Sequence, residues 1–215
     1  MTKVKKSSIL LTCLLLALLC GLLFYIDGNA SKYIIRITRL CAINIVLALS
    51  MNLVNGFTGI FSLGHAGFMA IGAYTVALLT IPVAKKETIF MLEPLIAPLN
   101  TLTLPFGAAL IIGGLLAAAL AFLIGLPCLR LRGDYLAIAT LGFSEIIRIV
   151  ITNAQSLTNG AQGLKSIPAT ANIWWCYGVA LATIVFIALL ISSSYGRAFK
   201  AIREDEIAAE SMGVS

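Results

Sequence analysis

Charge is what this chain has least of. Only 11% of its 215 residues are Asp, Glu, Lys or Arg, against roughly 25% in an ordinary soluble domain, and that scarcity excludes one. Histidine occurs once, at His65, and no second His, Cys or acid stands at ligand spacing, so no metal site is expected. The five cysteines (Cys13, Cys20, Cys41, Cys128 and Cys176) lie in or beside apolar segments without C-x-x-C spacing. They read as small packing residues rather than metal ligands or disulfides. G-x-x-x-x-G-K-[ST] is missing, which rules out ATP binding by a P-loop. G-x-S-x-G and H-E-x-x-H are missing too, which argues against a hydrolase. There is no repeat of 20–50 residues and no low-complexity tract. The period-two alternation of a membrane barrel is also absent.

What is present is apolar sequence, at 60% of the residues. Helices satisfy their own backbone in lipid, and about 20 apolar residues span a bilayer. Six such stretches can be cut out, at residues 9–26, 34–54, 59–81, 105–127, 135–152 and 173–191. The fold class expected is therefore all-α, a polytopic transmembrane bundle of about six helices. The first stretch follows Lys3, Lys5 and Lys6 and precedes Gly28-Asn29-Ala30, which together resemble a signal peptide. Its length and the five helices that follow favour an uncleaved first transmembrane helix. The net charge of +6 fits basic cytoplasmic loops rather than nucleic-acid binding. With the N-terminus inside, the inner face holds Lys3, Lys5, Lys6, Arg130, Arg132, Arg197, Lys200 and Arg203. The outer loops hold Lys32, Lys85, Lys86 and Lys165, with Arg36 and Arg39 near the outer end of the second helix. That asymmetry predicts a cytoplasmic N-terminus and a cytoplasmic polar tail.

Three segments carry candidate function. Residues 55–74 read NGFTGIFSLGHAGFMAIGAY. Asn55 to Thr58 are too few for an independent loop, so the chain there makes a tight hairpin or a break within the membrane. Gly64 and Gly67 belong to a small-residue run that suits close helix packing, and glycines also permit a broken helix lining a pathway. Both readings stand. His65 is expected to make a structural hydrogen bond rather than serve a proton relay. In Arg130 to Arg148, RLRGDYLAIATLGFSEIIR, Asp134 suits a helix start. Glu145 and Arg148, three apart, share a helix face. Buried in a bundle they are a pathway or gating pair; near the surface they are a solvated anchor. The tail from Gly196, GRAFKAIREDEIAAESMGVS, predicts one short helix over 203–212. Glu204, Asp205 and Glu206 fall in its first turn, Ile207, Ala208, Ser211 and Met212 form a small apolar face, and Gly213 stops it.

SLGHAGFMAIGAY, LRGDYLAIATLGFSEIIR and GRAFKAIREDEIAAESMGV, in that order, closely resemble the LivM-type permease subunit of branched-chain amino acid ABC importers. The tail also resembles the cytoplasmic "EAA" loop of such permeases. Its Ala-Ala-x-x-x-Gly core is Ala208, Ala209 and Gly213, with Ile207 where the pattern has Glu and Glu206 one place earlier. The resemblance implies a type II-like importer permease in the bacterial inner membrane. Its partners would be a second, LivH-like permease, two cytoplasmic ATP-binding cassette ATPases and an external substrate-binding protein. No catalytic chemistry and no cofactor of its own are implied. Residues 1–215 would form a single permease domain, incomplete at its C-terminus because family members continue with further helices. Residues 196–215 would be the coupling loop, with Arg203, Glu204, Glu206, Ala208, Ala209 and Gly213 meeting the ATPase. Related permeases for urea or short amides look similar. A channel or secondary carrier, or a membrane-embedded enzyme using His65 with Glu145 or Asp134, are the readings from other classes.

Overall fold

Each of the six apolar stretches becomes a helix, and the largest departure from the expected limits falls in the glycine-rich third stretch. The computed structural model describes residues 6–90, 94–97, 99–131 and 133–214, with side chains from residue 14 onward. Lys3, Lys5 and Arg132 of the basic-face count lie outside the described residues, as does the side chain of Lys6. The chain divides into two units, residues 1–50 with 171–190 and residues 51–170 with 191–215.

The first unit is built from α1 (Lys6–Asn29), α2 (Lys32–Met51) and α8 (Ile173–Ser192), whose last two residues belong to the second unit. One end is tied by polar contacts. Arg39 Nη1 donates to the Ala171 carbonyl at 3.1 Å, and Trp174 Nε1 donates to Asp27 Oδ2 at 3.3 Å. Leu14, Leu18, Phe24, Ile43 and Phe186 are exposed. Helices apolar around their whole circumference are those of a membrane span.

The second unit holds a π-helical turn (Asn52–Phe57) that continues α2, then α3 (His65–Thr80), α4 (Val83–Ile89), α5 (Phe106–Cys128) and α6 (Asp134–Asn153). Short α7 (Gln155–Thr158) and a 3-10 turn (Gly160–Gln162) follow, and α9 (Ser194–Glu204) with α10 (Glu206–Ser211) closes the unit. Helix α3 packs against both α5 and α6. A Cβ on Gly113 of α5 would stand 2.8 Å from Val76 Cγ2 and 3.1 Å from the Gly72 carbonyl, so the two backbones meet with no side chain between. In lipid, such close backbone packing is a main source of helix association.

Among the described residues, four helices are long and apolar enough to cross a membrane: Lys32–Phe57, Phe106–Cys128, Asp134–Asn153 and Ile173–Ser192. Helices α3 and α4 together make a fifth, bent by 119°. The bend follows from Pro82, which holds Ile81 extended (ψ 128°) because a residue before proline is forced out of the helical region. The third stretch departs most from expectation. Its helix starts at His65, not near residue 59, leaving 16 residues, about 24 Å, against a hydrocarbon core of ~30 Å. The missing turns are the irregular backbone from Thr58 to Gly64.

Candidate functional site

Irregular backbone at membrane depth must find partners for its N–H and C=O groups within the protein. Here side chains supply them. The Ser62 N–H donates to Asn55 Oδ1 at 3.2 Å and the Leu63 N–H to Thr140 Oγ1 on α6 at 3.0 Å. Thr140 Oγ1 in turn donates to the Ala137 carbonyl at 3.0 Å, which fixes its hydroxyl as acceptor for Leu63. Thr58 Oγ1 donates to the Val54 carbonyl. The reversal itself needs Gly59, whose φ of +71° is a region that residues with a Cβ avoid. The connection expected at Asn55 to Thr58 is thus a break, not a tight hairpin: a π-helical turn to Phe57, then irregular backbone from Thr58 to Gly64, then α3.

The same end of the unit carries the charged tail. The expected single helix over 203–212 is corrected by the structure into two. Arg203 and Glu204 end α9, and Asp205 is extended (φ −160°, ψ 114°) between it and α10. The reason is local competition: Asp205 Oδ1 accepts from the N–H groups of Ile207 at 2.9 Å and Ala208 at 3.1 Å, which makes Asp205 an N-cap instead of an interior residue. The expected stop is where the sequence placed it. Gly213 has φ +85°, the Val214 N–H reaches the Ala209 carbonyl and the Gly213 N–H reaches that of Glu210, each at 3.0 Å. That pair is a Schellman cap. On α10 Ile207, Ala208, Ser211 and Met212 are exposed, whereas Ala209 is buried. Glu204 and Glu206 are exposed beside them.

A cavity of about 370 Å³ lies between the tail and the break. Gly59, Ile60 and Phe61 line it from the break, Asp134 and Leu136 from the start of α6, and Ile202, Arg203 and Glu206 from the tail. Arg203 also crosses to the π-helical turn before the break, with Nη1 3.4 Å from the Gly56 carbonyl.

Gly64 and Gly67 are both buried on the α3–α6 contact, but they differ in tightness. A Cβ on Gly67 would stand 2.9 Å from Ile147 Cδ1 and 3.1 Å from Ser144 Cα, while one on Gly64 would meet nothing nearer than Phe68 at 3.4 Å. His65 opens α3 and is half-buried. Glu145 and Arg148 pair bidentately, Arg148 Nε to Glu145 Oε2 at 2.9 Å and Nη2 to Oε1 at 2.5 Å. Their side chains are 51% and 69% exposed, so this chain does not bury them. Asp134 lines the cavity; His65 and Glu145 do not. Among the described residues no three His, Cys, Asp or Glu converge as metal ligands.

Sequence reasoning missed Thr140, Asn55 and Asp205 as structural donors and acceptors, and Lys86 as a buried residue. Lys86 is 0% exposed on α4, and its ammonium donates to the carbonyls of Leu99 and Leu102, each at 2.7 Å. A polar residue inside an apolar run was the available signal for Thr140. Lysine bound only to backbone carbonyls leaves no such signal.

Residues 33–215 match the protein family described as the branched-chain amino acid transport system / permease component. The chain is 38% identical to the high-affinity branched-chain amino acid transport system permease protein LivM of Escherichia coli K12 and 36% identical to that of Salmonella typhimurium LT2, in each case over 86% of this chain and 47% of the relative. It is 25% identical to a probable LivM permease of Methanocaldococcus jannaschii over 78% of this chain and 56% of the relative. The chain spans about half the length of the curated relatives it matches. No solved structure matches it significantly.

Proposed function

Because this chain belongs to the family of branched-chain amino acid transport permease components, we propose that it acts as a pathway-forming subunit of an ATP-driven importer for branched-chain amino acids. It is a multi-pass membrane protein of a transport family, and that family is not a class of enzymes. The observation that carries the reading is α10. It is capped by Asp205 at one end and by Gly213 at the other, and it holds Ile207, Ala208 and Met212 out to solvent. A short, rigid, partly apolar helix flanked by Glu204 and Glu206 suits a groove on a soluble protein. Its acidic face is unlike the Lys- and Arg-rich polar face of a helix that lies on lipid.

In this reading residues 196–215 form the coupling loop and the remainder one permease domain. A cytoplasmic ATPase receives α10, and a second ATPase serves the partner permease of the LivH type. A binding protein delivers substrate at the opposite face, where α4 and the loop to Leu104 lie. The N-terminus and the tail are in the cytoplasm of a bacterial inner membrane. Ala208 and Ile207 make the contact, while buried Ala209 keeps α10 seated on its own chain.

The test is uptake of labelled leucine by the assembled transporter in proteoliposomes, with ATP inside and binding protein outside. ATP-dependent uptake is expected, resistant to excess urea or acetamide. Ala208→Trp is expected to abolish it and to weaken co-purification of the ATPase while the permease still inserts. Uptake of urea instead of leucine would reassign the substrate. Unimpaired uptake and ATPase binding by Ala208→Trp would remove the docking role. A cysteine at Ser211 that reacts with an impermeant external reagent would reverse the orientation.

A further inference from the structure

One charged residue of the tail, Arg203, is exposed yet makes contacts with its own chain at the helix break. Arg203 sits in the last turn of α9, two residues before the extended Asp205 joint. Its stem lies on Gly59: a Cβ built on that glycine would stand 2.8 Å from Arg203 Cγ and 3.4 Å from its Cα. Nothing separates the backbone at the break from the end of α9. Gly59 is also the residue whose positive φ makes the reversal. Beyond the stem, the guanidinium is shared. Nη1 points to the Gly56 carbonyl at 3.4 Å, a terminal carbonyl of the π-helical turn, and Nη2 binds Glu204 Oε1 at 2.6 Å. Glu204 is exposed beside α10.

We propose that Arg203 is the positioning residue that delivers movement of the cytoplasmic tail to the helix break, acting through Gly59 and Gly56. This rests on the reading of α10 as the ATPase contact and adds the element inside the membrane domain that the contact drives. The geometry favours a two-position arrangement. The long contact to Gly56 is the weaker of the guanidinium's two, and the acidic residues Asp134 and Glu206 are among those lining the cavity beside it. A partner that engages Glu204 or shifts α10 alters what the guanidinium binds, and the stem moves Gly59 with it. Backbone from Thr58 to Gly64 then responds while α3, α5 and α6 stay packed. The break is suited to this because single side-chain hydrogen bonds, not a helical ladder, hold it.

The experiment compares Arg203→Ala, Arg203→Lys and Gly59→Ala in the assembled transporter, measuring co-purification of the ATPases, ATP hydrolysis and leucine uptake. Arg203→Ala is expected to co-purify with the ATPases and to hydrolyse ATP, while uptake per ATP falls about tenfold, the size of an ordinary coupling between sites. Arg203→Lys, which keeps a stem on Gly59, recovers part of that ratio. Gly59→Ala, on the other side of the contact, lowers it independently. An unchanged ratio in both Arg203→Ala and Gly59→Ala would overturn the proposal. So would loss of ATPase binding in Arg203→Ala, which would place Arg203 in the docking surface and leave the transport reading intact. Absence of ATP-dependent uptake in the wild-type assembly would instead sink the transport reading.

Discussion

The two ends of the α3–α5–α6 unit both carry non-helical backbone beside apolar helices, and they hold it by different means. At one end, the segment after α4 is clamped. Lys86 is buried against two carbonyls, Leu78, Phe90 and Leu95 form an apolar core with Ile89, Leu99 and Leu164 around it, and the Leu104 N–H bonds the Leu79 carbonyl at 2.8 Å. At the other end, the break from Thr58 to Gly64 hangs on isolated bonds to Asn55 and Thr140, and a long bond from Arg203 reaches the π-helical turn just before it. A cavity of about 370 Å³ lies beside it, while the first end has packed side chains next to a smaller cavity of about 260 Å³ lined by Ala77 and Leu164. Regions with few apolar contacts and singly held backbone open at lower free energy than a packed core. The comparison assigns rigidity to the capped end and movement to the end that carries the tail.

The largest expected effect lies between the ends, on the contact that both depend on. Gly67→Leu forces a side chain into Ile147 and the Ser144 backbone, and overpacking of that kind costs about 1–3 kcal/mol or more. Failure to assemble, read as loss of the monodisperse complex in detergent, is expected. Gly64→Ala, with contacts no closer than 3.4 Å, is expected to assemble normally. Equal behaviour of Gly67→Leu and wild type would show that α3 and α6 are not closely packed.

Lys86→Met tests the clamped end. It keeps much of the side-chain volume but strands the carbonyls of Leu99 and Leu102, a loss of about 1–3 kcal/mol where such groups stay buried. Faster amide exchange is expected in residues 99–104, with uptake per ATP unchanged. If that ratio falls as well, the clamped end takes part in coupling and the comparison breaks.

A smaller change is expected from Asp205→Ala, which removes the N-cap of α10 at a cost of about 1 kcal/mol. Weaker ATPase co-purification should follow, with the melting of the membrane domain unaffected. A shift in that melting would mean the tail supports the bundle itself.

Glu145 and Arg148 are expected to have the least effect on this chain alone, because both are exposed on it. Glu145 lies eleven residues into α6, about 16 Å along a helix about 30 Å long, where a charge is costly in lipid and normally faces protein or water. In the assembled transporter each single change to Ala should therefore impair uptake more than the double change. Equal uptake in all three would make the pair a solvated anchor.

Much of this was legible in the sequence, because apolar length and capping residues act locally. Five of the six stretches fall within about three residues of their helices, the interruption expected at Asn55 to Thr58 lies a few residues later, from Thr58 to Gly64, and Gly213 ends α10 as its αL preference dictates. What was hidden depended on distant partners. Lys86 counted as an outer-loop charge because its ligands are backbone carbonyls 13 and 16 residues away. The late start of α3 follows from hydrogen bonds to Asn55 and Thr140 that no hydropathy pattern encodes. Asp205 looked like one acid of a helical first turn, and only its extended backbone separates α9 from α10. The contact of the Arg203 stem with Gly59, 144 residues away, leaves no mark in the local sequence either.

The most direct measurement of the central claim is amide exchange in the assembled transporter, compared between the nucleotide-free and ATP-trapped states. The account predicts that protection changes in residues 56–64 and 203–212 while residues 79–90 stay as they were. A change confined to residues 79–90, with 56–64 and 203–212 identical in the two states, would contradict it.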